Sequence, residues 1–368
     1  MGAQHDKMEV GDLKQEANRA SPVNIIVSPD GMMYDYLNLP GRVIINEEVG
    51  ASGESLSTRK PVKIEKLYEY VSALRSNSFK FLLREYEELC EISPQCPQTV
   101  GLSEINQSKN RYGNIVPFDH SRVRLKPMMG KESDYINANF IPGYKNARAY
   151  IASQAPLPMT VNDHWRMIWQ QRICIIVMIT GLVERGRRKC ELYWPKPGFP
   201  IKYGLVEVTN IKEEVRLDYL VRILRVKIGR EKSPKSRHPI LIHCSAGVGR
   251  TGTYVAIDRL IQEIQAKHRN VDIFNTVYDI RKSRSMMVQT VRQYMFIYDF
   301  HLDAWQIEGD PEGFKNRKMV ERQKELDSKY KELTSKDDLM VEQKATYDLY
   351  ELFLMAACCC CPFLFDKN

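Results

Sequence analysis

Residues 59–308 of this 368-residue chain predict one α/β or α+β domain. Three observations carry that expectation. Strand-like runs alternate with helical patterns through roughly 250 residues with no break in composition. The make-up, 43% hydrophobic and 27% charged, is that of an ordinary soluble globular protein, long enough to bury a sizeable core. One apolar strand also runs through a loop of small residues straight into a helix. The charge balance, 54 Lys and Arg against 46 Asp and Glu, leaves +8. That excess favours an acidic substrate or an anionic surface. Basic residues interspersed with acids along the whole chain do not make a nucleic-acid reader.

The elements follow in order. Residues 1–58 form a polar leader punctuated by Ser28-Pro29-Asp30-Gly31 and Ala51-Ser52-Gly53, with one apolar run, Val43-Ile44-Ile45, as its candidate for a docked strand. Helical spacing then sets in at Leu67, Val71 and Leu74 and again at Phe81, Leu82, Tyr86 and Leu89, giving two helices parted by Ser76-Asn77. Strands are expected over 173–180, 202–211, 218–228 and 239–243, and helices over 160–172, 253–267 and 292–306. Residues 309–352 are dense in Lys and Glu. Met319, Leu326, Leu333, Met340 and Tyr347 recur every seven residues, but the second heptad position holds Gln323, Tyr330, Asp337 and Lys344, which argues for a solvated helix and against a coiled coil.

Residues 353–368 form an apolar, Cys-rich end. The run 352–365 is only fourteen residues, too short to span a bilayer. Cys358, Cys359, Cys360 and Cys361 lie beside apolar residues, an arrangement that accepts palmitate and would associate the chain with a membrane; the other reading is an apolar tail without a role. The remaining five of the nine cysteines are scattered, with no zinc-type pairing and no disulfide framework. They are expected as free thiols in a reducing, cytoplasmic setting, four of them in the core. The first twenty residues lack the apolar stretch of a signal peptide, and Asp6 falls where the myristoylation pattern wants Ser or Thr.

The segment with chemistry is PILIHCSAGVGRTGTY, 239–254. Ser245, Ala246, Gly247, Val248 and Gly249 let successive N–H groups converge on one point as an anion nest. The helix that starts just beyond aims its positive end at the same point. Arg250 adds a planar fork for two phosphate oxygens. In such a field Cys244 is favoured as a thiolate, set for in-line attack on phosphorus. A buried structural Cys is the competing reading, and the C-x5-R spacing between strand and helix argues against it. A nucleotide-binding P-loop is excluded, since Arg250 stands where Lys is required.

His243 to Gly252 resembles the signature loop of the tyrosine-specific protein tyrosine phosphatases. The resemblance extends over roughly residues 60–308, in the family's order. Lys109-Asn110-Arg111-Tyr112 resembles the phosphotyrosine-recognition loop, with Tyr112 flanking the substrate ring. Asp134 to Asn139 and Gln154-Ala155-Pro156 resemble scaffold motifs. Glu184-Arg185-Gly186, Lys189-Cys190 and Tyr193-Trp194-Pro195 resemble the Glu/Lys-loop segment. Gln289 to Tyr294 resembles the glutamine loop, where Gln289 and Gln293 would orient the hydrolytic water. The resemblance implies a central twisted mixed sheet flanked by helices and a hydrolase of phosphotyrosine proteins. It implies Cys244, Arg250, Thr251 and Gln289 in catalysis, with His243, Glu184 and Lys189 in support. Substrate binding would fall to Tyr112, Asn114, Ser245, Ala246, Gly247, Val248, Gly249 and Gln293. No metal and no cofactor is implied. The leader and first helices are similar to the membrane-proximal side of receptor-type members. Asn114 departs from the acid that many relatives carry to hold the substrate's backbone, which implies weaker peptide affinity.

A second departure is larger. The family protonates the departing phenolate with an Asp on a Trp-Pro-Asp loop. Of Trp165, Trp169, Trp194 and Trp305, only Trp194 precedes a Pro, and Lys196 follows. After Arg230 the chain passes through residues 231–238 directly to the Cys strand, so one strand, the acid loop and a helix are expected to be missing. Loss of the strand is expected to expose a sheet edge or apolar surface. Within the shortened connection Glu231 and His238 are the residues with acid chemistry. General acid–base catalysis is worth about 10²–10⁴-fold, or roughly 3–5 kcal/mol of barrier. The expected activity is therefore a slow phosphatase. The alternatives are a pseudophosphatase that binds phosphotyrosine without turning it over and a poorly folded product.

Overall fold

The computed structural model describes residues 23–27, 61–128, 130, 132–215, 219–232 and 239–309. The charged tail, the terminal cysteines, His238 and the Val43-Ile44-Ile45 run lie outside these residues. In chain order the elements begin with β1 (Val23–Val27), β2 (Val62–Lys63) and α1 (Leu67–Glu91). Two short helices, α2 (Thr99–Leu102) and α3 (Glu104–Gln107), precede β3 (Arg122–Arg124), β4 (Tyr135–Ile141), β5 (Tyr150–Ser153) and α4 (Val161–Gln170). Then come β6 (Ile175–Met178), a small hairpin of β7 (Val183–Glu184) and β8 (Arg187–Arg188), and the meander β9 (Pro200–Tyr203), β10 (Val206–Val215), β11 (Leu220–Ile228) and β12 (Glu231–Lys232). β13 (Ile240–His243), α5 (Gly249–Gln265), β14 (Asn270–Val271), α6 (Ile273–Ser283) and α7 (Val291–Gly309) complete the described chain.

Ten strands form one mixed sheet in the order β3-β4-β5-β13-β6-β1-β11-β10-β9, with β12 paired to β11. β13 runs parallel to both neighbours, β5 and β6. A parallel centre must be covered on both faces, and the period-two alternation of its strands shows how. Tyr150, Ala152, Val177, Ile240 and Ile242 face one core, built with α1, α5, α6 and α7. Ile151, Ile176, Met178 and Leu241 face the other, built with Trp165, Met167 and Ile168 of α4. Each fully buried aliphatic side chain contributes about 1.5–3 kcal/mol relative to exposure, so both faces anchor the strand that carries Cys244.

The two helices expected after residue 60 form α1, and they part where Ser76-Asn77 predicts. Ser76 is extended, and Asn77, Ser78 and Phe79 take φ of 51°, 53° and 64°, so the axis breaks there. The leader contributes a strand too, but from Val23–Val27. It fills the position between β6 and β11, so the sheet is continuous where the missing strand was expected to leave an edge. The scattered thiols need correction: only Cys190 joins Cys244 in the interior, while Cys90 is exposed and Cys96 and Cys174 are partly so. Cys90 lies on the outward face of α1's last turn, and the helical spacing of Leu82, Tyr86 and Leu89 already points away from it. Among the described residues no helix is long and apolar enough to cross a membrane.

Candidate active site

β13 delivers Cys244 to the top of the sheet, and the loop 244–248 turns into α5. The turn requires glycine at 247. Its φ is +73°, and a Cβ there would sit 2.1 Å from the Ser153 carbonyl oxygen. Gly249 and Gly252 also allow close approaches, where a Cβ would sit 2.8 Å from the Gln293 amide and 2.4 Å from the Val288 nitrogen. Gly247→Ala is therefore expected to destabilise the fold by about 2–4 kcal/mol, and a urea titration measures it.

The loop is tied down on every side. Ala155 N–H donates to the Ser245 carbonyl (3.0 Å), Ile179 N–H to that of His243 (2.8 Å) and Val288 N–H to that of Val248 (3.2 Å). Below it lies Arg284, fully buried. Its Nε donates to Gly247 O (2.9 Å) and its Nη2 to Ala246 O (3.1 Å). Nη1 and Nη2 reach Asn139 Oδ1 (2.6 Å) and Asn137 Oδ1 (2.8 Å) on β4. With these carbonyls drawn down onto a guanidinium, the loop's N–H groups face the other way. Sequence reasoning did not single out Arg284; the apolar surroundings Ile280, Met287 and Val288 are the signal that marks it as interior.

Cys244 is buried, and the Gly247 N–H donates to its sulfur at 3.3 Å. Burial alone would push its thiol up. The Arg250 guanidinium and the N–H groups of Thr251 and Gly247 outweigh that and hold it below the ordinary thiol value. The Cys190 thiol is pushed up to about 12 by burial, which outweighs the nearby Arg111 guanidinium. His243 stays neutral: burial brings it down to about 4, while its Nδ1 lies 3.1 Å from Cys244 O and its Nε2 2.9 Å from the Tyr193 hydroxyl.

Arg250 is oriented by Glu184, with Nη1 to Oε1 at 2.6 Å and Nη2 to Oε2 at 2.7 Å, and Nη1 also donates to Ile179 O (2.9 Å). Thr180 Oγ1 and Gly181 N–H donate to the same carboxylate. Despite the opposing effect of burial, these partners keep the Glu184 carboxyl below its usual range. Glu184 is thus a fixed anion at neutral pH.

The other expected residues converge on the loop to different degrees. Ser245 Oγ donates to Lys189 O (3.0 Å) and lies 2.9 Å from the half-buried Tyr112 hydroxyl. Lys189 therefore meets the loop through its backbone. The Tyr112 loop is clamped by Gln154, whose Nε2 donates to Lys109 O (2.7 Å) while its Oε1 accepts from Arg111 N–H (2.8 Å). Asn114 is exposed on the same loop. Gln293 is buried, and its Oε1 accepts from Gln289 N–H (2.8 Å), so it holds the start of α7 while the Gln289 side chain is exposed. Glu231 lies on β12.

Comparison with known proteins agrees with this architecture. The family described as protein-tyrosine phosphatase matches residues 106–236 and 226–303. The two stretches overlap over residues 226–236, from the end of β11 into the shortened connection. Tyrosine-protein phosphatase 99A of Drosophila melanogaster is 40% identical over 291 residues, covering 67% of this chain and 22% of its own length. A putative receptor-type tyrosine-protein phosphatase, mosPTP-1 of Culex quinquefasciatus, is 38% identical over 75% of this chain and 22% of its own. Receptor-type tyrosine-protein phosphatase eta of Gallus gallus is 38% identical over 70% of this chain and 21% of its own. The chain thus spans about a fifth of the length of these curated relatives. With the Cys loop, its buried Arg support and the tyrosine loop in one sheet-borne site, the chain belongs to the protein-tyrosine phosphatase family.

Proposed function

We propose that this chain hydrolyses phosphotyrosine in proteins through a phosphocysteine, with slow turnover. The observation that carries the reading is a buried Cys244 held toward thiolate inside a loop whose Arg250 is fixed by Glu184. In the first step the sulfur lone pair forms an S–P bond while the P–O bond to the phenol breaks and its electrons leave on the phenolate. In the second step water attacks phosphorus, the S–P bond breaks, and inorganic phosphate and thiolate are released. Arg250 and the N–H groups of 245–250 neutralise the equatorial oxygens in both steps. Thr251 steadies the thiolate, Gln289 and Gln293 border the water's approach, and Tyr112 sets the pocket's depth. His243 and Lys189 support the loop from behind and beside it.

The phenolate's proton is the weak point. Glu184 is ionised and bound to Arg250, so it is a counter-ion and no acid. The sequence holds no Trp-Pro-Asp acid, so the phenolate draws its proton from solvent, and the rate should follow the leaving group's acidity. The expected result is that p-nitrophenyl phosphate is turned over roughly 10²-fold or more faster than phosphotyrosine, with a burst of p-nitrophenol as the phosphoenzyme accumulates. Equal rates for the two would mean that another residue supplies the proton. A binding module, the second reading, is favoured by the same missing Trp-Pro-Asp acid; it predicts tight phosphotyrosine-peptide binding and no burst. Free thiols throughout the domain support action in a reducing, cytoplasmic setting.

A further inference from the structure

β1 comes from the leader yet lies in the middle of the sheet. Its backbone pairs with two strands at once. Asn24 to Val27 run parallel to Ile175 to Met178 of β6, and Val23 to Val27 run antiparallel to Leu224 to Leu220 of β11. The sheet passes from β6 to β11 only through it. Without β1 it would divide into a half holding β3, β4, β5, β13 and β6 and a half holding β9 to β12, with two strand edges opened onto the gap. The β6 edge lies beside the active loop: Ile179, one residue beyond β6, donates to His243 O and accepts from Arg250 Nη1.

The segment is built for such a place. Val-Asn-Ile-Ile-Val has four β-branched aliphatic residues of five and no charge. Its register partners begin about 150 residues away in sequence, so the slot is defined by β6 and β11 and not by a local hairpin. A slot of this kind recognises an extended backbone through main-chain hydrogen bonds, the physics of strand addition.

We propose that Val23–Val27 is an exchangeable donor strand, and that its seating between β6 and β11 holds the Arg250 side of the active loop in place. The occupant is this chain's own leader, which competes as a tethered segment at an effective concentration of roughly millimolar. A free peptide of the same sequence would take the same slot once the tethered copy is disabled. The inference concerns the sheet and stands apart from turnover.

Hydrogen exchange on the full chain tests it first. The amides of Asn24 to Val27 should be protected together with those of Ile175 to Met178, at least about a hundredfold slower than unstructured amides; unstructured rates would overturn the proposal. In the full-length Ile26→Pro variant one ladder N–H is lost. Its thermal transition should fall and orthovanadate binding should weaken about tenfold or more. A synthetic peptide of residues 20–30 should restore both. A variant with unchanged transition and vanadate binding would refute the donor role, and a weakened variant that the peptide does not rescue would refute exchange.

Discussion

Replacing Cys244 by Ser should bring aryl phosphate hydrolysis down to the uncatalysed background, a loss of at least about 10⁴-fold in kcat, while orthophosphate binding is retained. A hydroxyl in the same loop remains protonated, because the field that favours a thiolate cannot bring an alcohol into the working range. In the unsubstituted chain, reactivity toward iodoacetamide should follow the thiolate. It should persist below the pH at which an ordinary thiol loses reactivity, then fall as the pH drops through the lowered pKa of Cys244. Cys190, pushed up to about 12, should stay unlabelled over the same range. Mass spectrometry of the labelled peptides separates the two, and labelling of Cys244 only at alkaline pH would contradict the electrostatic reading.

Arg284→Met should destabilise the domain by about 3–5 kcal/mol, a large part of the 5–15 kcal/mol typical of a whole domain. The substitution keeps an unbranched chain of similar length but strands acceptors at Ala246, Gly247, Asn137 and Asn139. Burial has brought Arg284 down to about 10, so it is still a cation at neutral pH. Arg284→Lys should recover little, since a single ammonium cannot span carbonyls and amides on two sides. Urea denaturation checks the stability. Where the Met variant remains folded, its Cys244 reactivity should also move toward that of an ordinary thiol, because the loop's N–H groups are no longer aimed.

The Cys loop was legible because its constraints are local. Ile240, Leu241 and Ile242 read as a buried strand, Gly247 and Gly249 as a turn, and Arg250 as a fork at fixed spacing. The α1 break at Ser76-Asn77 was legible for the same reason. Arg284 was not, because an Arg near a helix end reads as solvated until β4 and the loop carbonyls are placed around it. Tyr193 falls in the run that resembles the Glu/Lys-loop segment, and its bond to His243 across 50 residues follows only from the packing of β13 against the chain that returns from β8. β1 was missed for a topological reason. Five residues in a polar leader carry no sign of which edges they join, and Val43-Ile44-Ile45 offers a competing apolar run. The short connection leads one to expect an open edge, whereas the sheet is continuous, because the segment seated beside β11 lies some 200 residues upstream.

The parallel insertion of β13 between β5 and β6 has a consequence in time. During synthesis β6, the later of the two neighbours, leaves the ribosome about 65 residues before the end of the strand that joins it to β5, which at about 5–20 residues per second is roughly 3–13 s. Through that interval the nascent chain carries two apolar edges with no partner between them, and pairing them with each other would close the place reserved for the nucleophile's strand. Chaperone demand should therefore peak while β9 to β12 are being made. The sheet can close around its centre only after residue 243 has emerged.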